Sequence, residues 1–156
     1  MFKAKQLREL IIKPALLDLV LYSQAAEELL MFTCAVESDG GTYLKQLIGP
    51  ALGIYQMEPD THNDLWQNFI KKQQSIMTIL INSFDCIRMQ SEDRLIYDLR
   101  YATAMTRLFY LRIPSELPAY NDIEGIWNYY KQHYNTAAGA ADKTRCLNTY
   151  LSFIRA

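Results

Sequence analysis

Cysteine and histidine are scarce in this chain, and the few present are not spaced for the chemistry they usually carry. The three cysteines, Cys34, Cys86 and Cys146, cannot all pair within one chain, and none belongs to a Cys-x-x-Cys motif. All three fall in apolar or amphipathic segments, which suits reduced, buried thiols better than a disulfide framework. The two histidines, His62 and His133, lie far apart in sequence. No metal site and no cofactor are expected from such a set. An excess of charge of one sign is also missing, with 16 basic and 17 acidic side chains scattered along the chain. Without a concentrated positive field to hold phosphates, nucleic acid is a poor partner. Long apolar runs are missing too: the stretch Leu29 to Val36, apolar but for Thr33, has eight residues, against the ~18 or more of a membrane span. Membrane insertion is therefore not expected. Charges interrupt Met1 to Leu10 every few residues, so no signal-peptide core is read there and synthesis in the cytoplasm is expected.

What is present is a chain of 156 residues, half of them hydrophobic. That is enough for one well-packed core, and 1–156 reads as a single domain without repeats, linkers or low-complexity stretches. Apolar spacing and caps divide it into helices. A short one is predicted over Lys3 to Ile12, ending before Pro14. A longer one is predicted from Pro14 to Glu37, its apolar positions including Leu17, Val20, Leu21, Leu29 and Leu30. Gly40 and Gly41 stop it and open an irregular segment to about Pro59, with Gly49, Pro50 and Gly53 inside. So long a stretch without regular structure points to function, and it has room for a small β-hairpin. Further helices are expected after Thr61 with Asp64, over Lys72 to Cys86, from Ser91 through Glu92 to Arg112, after Asn121 with Glu124, and over Asp142 to Phe153. The fold class expected is mainly α, with a long irregular loop or small hairpin beside a cleft.

One carboxylate stands out. The eight residues before Glu37 carry no charge, and Ser38-Asp39-Gly40-Gly41 follow it. A carboxyl at the end of an apolar helix loses solvation in its charged form, so its pKa rises towards what a general acid needs near neutrality. The glycines let the chain turn away and leave the carboxyl facing a cleft. The plainer alternative is a solvated glutamate at a helix C-terminus. Glu58 and Asp39 are nearby carboxylates that could position a water, although Glu58 before Pro59 also suits a helix N-terminus. Trp66 and Trp127 read as core, His62 as a first-turn residue of a surface helix, and Glu27 and Glu28 as polar-face residues.

A second fragment, Gly53-Ile54-Tyr55-Gln56-Met57-Glu58-Pro59, follows Glu37-Ser38, and Thr61 comes after it. Later come Leu99 to Leu111, with small residues inside, and Tyr134-Asn135 followed by Gly139. In this order and separation, from about Leu29 to Ala141, the chain resembles the catalytic domain of soluble lytic transglycosylases and goose-type lysozymes, and also small tailed-phage proteins of that kind. The resemblance implies a lysozyme-like α+β fold and cleavage of the MurNAc–GlcNAc bond of a peptidoglycan glycan strand. It makes Glu37 the general acid and then the base on the muramic C6 hydroxyl, giving 1,6-anhydro products. It assigns substrate-binding roles to Ser38, Gly53, Gln56, Tyr134 and Asn135, with Ser38 orienting the carboxyl or bonding to the muramoyl group and Gly53 letting the backbone approach the sugar. Tyr55 replaces the usual apolar residue and would narrow or rebuild the sugar subsite. Glu58 is the candidate second carboxylate.

Three alternatives stay open. A muramidase on the same scaffold would use water instead of the C6 hydroxyl. A phage structural or assembly protein would keep the scaffold without turnover, with virion proteins as partners. A helical bundle with a coincidental motif is the third. An enzyme of this kind without a leader would reach the cell wall in a virion or through a lysed membrane.

Overall fold

The computed structural model describes residues 1–135 and 140–156. The chain is mainly helical, as the apolar spacing predicts, and among the described residues extended pairing is limited to isolated bridges. No helix among those residues is long and apolar enough to cross a membrane.

The N-terminal region departs from the predicted pattern at Pro14. The helix does not stop there but widens before it: α1 (Ala4–Leu7) passes into a π-helical turn over Arg8–Ile12 and then into α2 (Lys13–Asp18). The Lys13 N–H reaches back to the Arg8 carbonyl. Proline removes one donor and crowds the preceding turn, and a widened turn relieves that crowding without ending the helix. The break comes later, at Val20, whose φ is +58°. Leu17 and Val20, predicted to lie on a buried face, are 53% and 77% exposed. The long helix expected from Pro14 to Glu37 is thus two helices. The second, α3 (Gln24–Ser38), starts at Ser23, whose side chain accepts from the Ala26 N–H at 3.0 Å. Arg8 bridges the break with 2.7 Å ion pairs to Glu27 and Glu28, and Glu27 is buried rather than on a polar face.

A β-branched residue in the left-handed region is strained by roughly 1–2 kcal/mol. Val20 makes up little of this through burial. Val20→Gly is therefore expected to raise unfolding stability by about 1 kcal/mol. Urea denaturation at an unchanged m-value would check this, and a lowered midpoint would refute it.

Helix α3 is the axis of the core. Leu30, Met31, Phe32, Thr33, Cys34 and Ala35 are all fully buried, the mark of a helix surrounded on every side. It is enclosed by α2, α7 (Leu99–Leu111), α8 (Ile123–His133) and α9 (Lys143–Arg155). Thr33, within α3, shares a 2.9 Å hydrogen bond with the Tyr110 hydroxyl of α7, and its Oγ1 also lies 2.8 Å from the Leu29 carbonyl. Trp66, Trp127 and all three free cysteines are buried, as expected.

The remaining helices are α4 (Pro59–Asn68), a 3-10 turn at Ile70–Lys72, α5 (Gln74–Phe84) and α6 (Arg94–Tyr97). Several starts differ from the predicted caps. Pro59 opens α4, so Thr61 lies inside it. Asp98 caps α7 by accepting from the Tyr101 N–H, and Ser91 stands before the separate short helix α6. Asp122, not Asn121, caps α8, and Asp142 caps α9. Aspartate next to the predicted residue offers the same acceptor, so neighbouring caps are not separable from sequence. His62 is buried rather than on a surface turn. Its Nε2 lies 2.7 Å from the Tyr101 hydroxyl, which accepts from the Trp66 indole N–H at 2.9 Å. With the hydroxyl accepting from Trp66, its own proton is available to His62 Nε2, an arrangement that suits a neutral ring. Burial lowers the His62 pKa in the same direction.

Candidate active site

Glu37 occupies the last turn of α3, and the chain leaves the helix immediately afterwards. Asp39 closes the helix in a left-handed conformation, and Gly40 continues the turn with its N–H within 3.3 Å of the Cys34 and Ala35 carbonyls. The irregular segment that follows is held by short backbone pairings. Lys45 bridges Leu52, and Leu52 and Met57 exchange two antiparallel hydrogen bonds at 2.9 and 3.0 Å. The predicted hairpin exists in this reduced form, with residues 53–56 as its turn.

The composition of that turn has a local cause. Gly53 has φ +75°, and a Cβ on it would lie 2.2 Å from the Leu95 carbonyl oxygen. Its own carbonyl accepts twice from Gln56, from the backbone N–H at 3.0 Å and from the side-chain Nε2 at 2.7 Å. A Gly-x-x-Gln sequence thus closes on itself, with glycine required by the backbone and glutamine acting as a clamp.

Three sequence fragments meet here. The Ser38 hydroxyl donates to the Ile54 carbonyl at 2.6 Å and accepts from the Gly41 N–H at 2.9 Å, tying the end of α3 to the hairpin turn. The Tyr134 hydroxyl donates to the Tyr55 carbonyl at 2.8 Å, tying the end of α8 to the same turn. The Tyr130 hydroxyl, one helical turn earlier on α8, donates to Glu37 Oε1 at 2.6 Å. Tyr130 and Tyr134 stack with ring centroids 6.1 Å apart, and Tyr134 also packs edge-on to Phe109. The carboxyl is therefore fixed from the α8 side through one oxygen.

Glu37 lies between two cavities of about 570 and 580 Å³ that share Glu37, Gln46, Asn135 and Ala140. One extends along Gln56, Glu58, Thr61, Phe109 and Tyr134. The other extends along Tyr43, Tyr130, Asp142, Arg145 and Thr149. Together they form a cleft with the carboxyl in the middle rather than at one end.

Burial pushes the Glu37 carboxyl up from its ordinary 4.5 to about 7, and the Tyr130 hydrogen bond partly opposes this by favouring the charged form. The C-terminal end of α3, where the helix dipole is negative, disfavours the carboxylate further. A carboxyl that keeps its proton near neutrality, in a cleft large enough for several sugar-sized groups, can serve as a general acid.

No family model, curated protein or solved structure matches this chain.

The residues expected at the site divide into two groups. Glu37, Gln56, Glu58, Tyr134 and Asn135 line the cleft. Ser38, Gly53 and Tyr55 do not contribute side chains to it. Ser38 is fully buried and bonded to backbone, so it positions the wall instead of contacting the carboxyl or a substrate. Gly53 faces Leu95, so its missing Cβ makes room for the chain rather than for a sugar. Tyr55 is buried with its hydroxyl 3.0 Å from Thr103 Oγ1 on α7, so it fills the core and narrows no subsite. Asn135 Oδ1 accepts from Lys131 Nζ at 2.8 Å. Gly139, expected after Tyr134-Asn135, lies outside the described residues.

Tyr130, Gln46 and Arg145 were not singled out from sequence. Tyr130 had a usable signal, since it lies four residues before Tyr134 and so on the same helix face. Gln46 and Arg145 had none. Replacing Tyr130 with Phe removes the donor to the charged form. The Glu37 pKa should then rise by about one further unit, on the scale of a hydrogen bond to a charged group. A pH profile whose alkaline limb moves upward would check this, and an unmoved limb would contradict it.

Proposed function

We propose that this chain is a peptidoglycan-cleaving lytic transglycosylase acting on the MurNAc–GlcNAc bond. The observation that carries the reading is Glu37, a carboxyl at the centre of a cleft, gripped through one oxygen by Tyr130 and pushed by burial up to a pKa of about 7. The convergence of Glu37-Ser38, Gly53 to Gln56 and Tyr134-Asn135 around that carboxyl supports the resemblance to lytic transglycosylases and goose-type lysozymes. These fragments are separated in sequence yet joined by the Ser38–Ile54 and Tyr134–Tyr55 hydrogen bonds.

In this mechanism Glu37 donates its proton to the glycosidic oxygen as the C1–O bond of the muramoyl residue breaks. The GlcNAc-bearing strand leaves with that proton. Glu37, now a carboxylate, takes the proton of the muramoyl C6 hydroxyl, whose oxygen bonds to C1 and closes the 1,6-anhydro ring. Tyr130 keeps the carboxylate oriented between the two steps, and the carboxylate's negative charge beside the anomeric carbon stabilises the developing oxocarbenium ion.

Hydrolysis is the second reading, favoured by one observation: Glu58 lines the same cavity as Glu37. A second carboxylate across a cleft can activate water in place of the C6 hydroxyl. Mass spectrometry of soluble products from sacculi tests both. Anhydro-muropeptides support the transglycosylase, reducing ends make the chain a muramidase, and no release beside an active control enzyme leaves the scaffold without turnover. Delivery in a virion or after lysis would bring such an enzyme to the wall.

A further inference from the structure

The arm of the cleft nearest α9 carries charges that bond breaking at Glu37 does not use. Two further carboxylates, Asp142 and Asp39, line it. Asp142 Oδ1 accepts from the Arg145 N–H at 2.9 Å, and Asp39 Oδ2 lies 3.4 Å from the Thr42 hydroxyl, which donates to the Asp39 carbonyl at 2.9 Å. Arg145 lines the same arm, and among the described residues its side chain has no hydrogen bond or ion pair. An arginine side chain stays charged at every physiological pH, and its planar fork suits a carboxylate.

A peptidoglycan strand is neutral along its sugar backbone and acidic only at its muramoyl substituents. Because the cleft extends on both sides of Glu37, a strand cut there places sugar residues in both arms. We propose that the α9 arm seats the acidic muramoyl substituent of the strand, with Arg145 pairing with its carboxylate as a specificity-determining residue. This rests on the glycosidase reading above. The carboxylate has two sources, the lactyl group itself or the stem peptide attached to it.

The test compares the parent, Arg145→Gln and Arg145→Lys on three strand preparations. These are strands bearing stem peptides, strands stripped by an amidase to the free lactyl carboxylate, and strands whose carboxylates are chemically amidated. Arg145→Gln should raise KM about tenfold on the carboxylate-bearing strands while kcat stays within about twofold. The amidated strands should not distinguish the variants, and Arg145→Lys should recover part of the loss. A rise seen only with stem-bearing strands assigns the carboxylate to the peptide, and a rise on stripped strands assigns it to the lactyl group. An unchanged KM on every carboxylate-bearing strand overturns the proposal, as does an equal loss on amidated strands.

Co-sedimentation of Glu37→Gln with sacculi, with and without Arg145→Gln, separates this proposal from the reading it rests on. Retention that depends on Arg145 without any turnover by the parent overturns the glycosidase and keeps the carboxylate site. Turnover that is indifferent to Arg145 does the reverse. Neither retention nor turnover overturns both.

Discussion

Glu37→Gln is expected to lower glycan cleavage by about 10³-fold while making the folded protein more stable above neutral pH. The amide keeps the shape and can still accept from the Tyr130 hydroxyl, but it has no proton to give. The stability effect follows from linkage. The folded-state pKa of Glu37, about 7, lies above its ordinary 4.5, so the native state binds the proton more tightly than the unfolded chain does. The stability this contributes is complete below about pH 4.5 and lost as pH rises through about 7. The full loss is on the order of 3 kcal/mol at 1.36 kcal/mol per pKa unit. Glutamine never ionises and escapes it. Thermal or urea unfolding should therefore show parent and variant close together at pH 4 and the variant ahead at pH 8. A variant that loses both activity and stability at pH 8 would mean that the carboxylate is well solvated and the site misread.

Gly53→Ala is expected to destabilise the chain by about 3–5 kcal/mol, the range of substitutions that combine backbone strain with overpacking. A left-handed alanine costs about 1 kcal/mol by itself. The larger part comes from the Cβ, which would stand 2.2 Å from the Leu95 carbonyl oxygen, a backbone atom that no rotamer change can move aside. The hairpin turn must shift as a unit. It carries the acceptors for Ser38 and Tyr134, so the cleft wall shifts with it. Chemical denaturation should register the loss of stability, and cleavage should fall even at temperatures where the variant remains folded. A stability within 1 kcal/mol of the parent would show that the turn adapts cheaply.

How much of this was legible in the sequence depends on the distance over which each signal acts. Helical content and the buried α3 were readable because uncharged apolar spacing from Leu29 to Val36 is a local property. The apolar helix end under Glu37 was readable for the same reason, whereas its pairing with Tyr130, which comes from α8, was not. The break at Val20 was not, because a β-branched residue in the left-handed region runs against its preference and is held there by the packing of α2 and α3. Ser38, Gly53 and Tyr55 were placed in the right neighbourhood but given the wrong work. Their partners, Ile54, Leu95 and Thr103, come from other segments, and nothing in a motif says whether its residues face the cleft or build the wall behind it. His62 was misjudged through Tyr101 and Trp66, two partners on different helices.

General acid catalysis at this site requires a Glu37 carboxyl that still carries its proton in a sizeable fraction of molecules near neutral pH. The most direct test is a ¹³C NMR titration of the glutamate side-chain carboxyls in the intact protein, with Glu37→Gln used to assign the Glu37 resonance. The expected midpoint is near 7, moving higher when Tyr130 is replaced by Phe. A midpoint in the ordinary carboxylate range, near 4.5, would contradict it, because a carboxyl already ionised at neutral pH has no proton to give to a glycosidic oxygen.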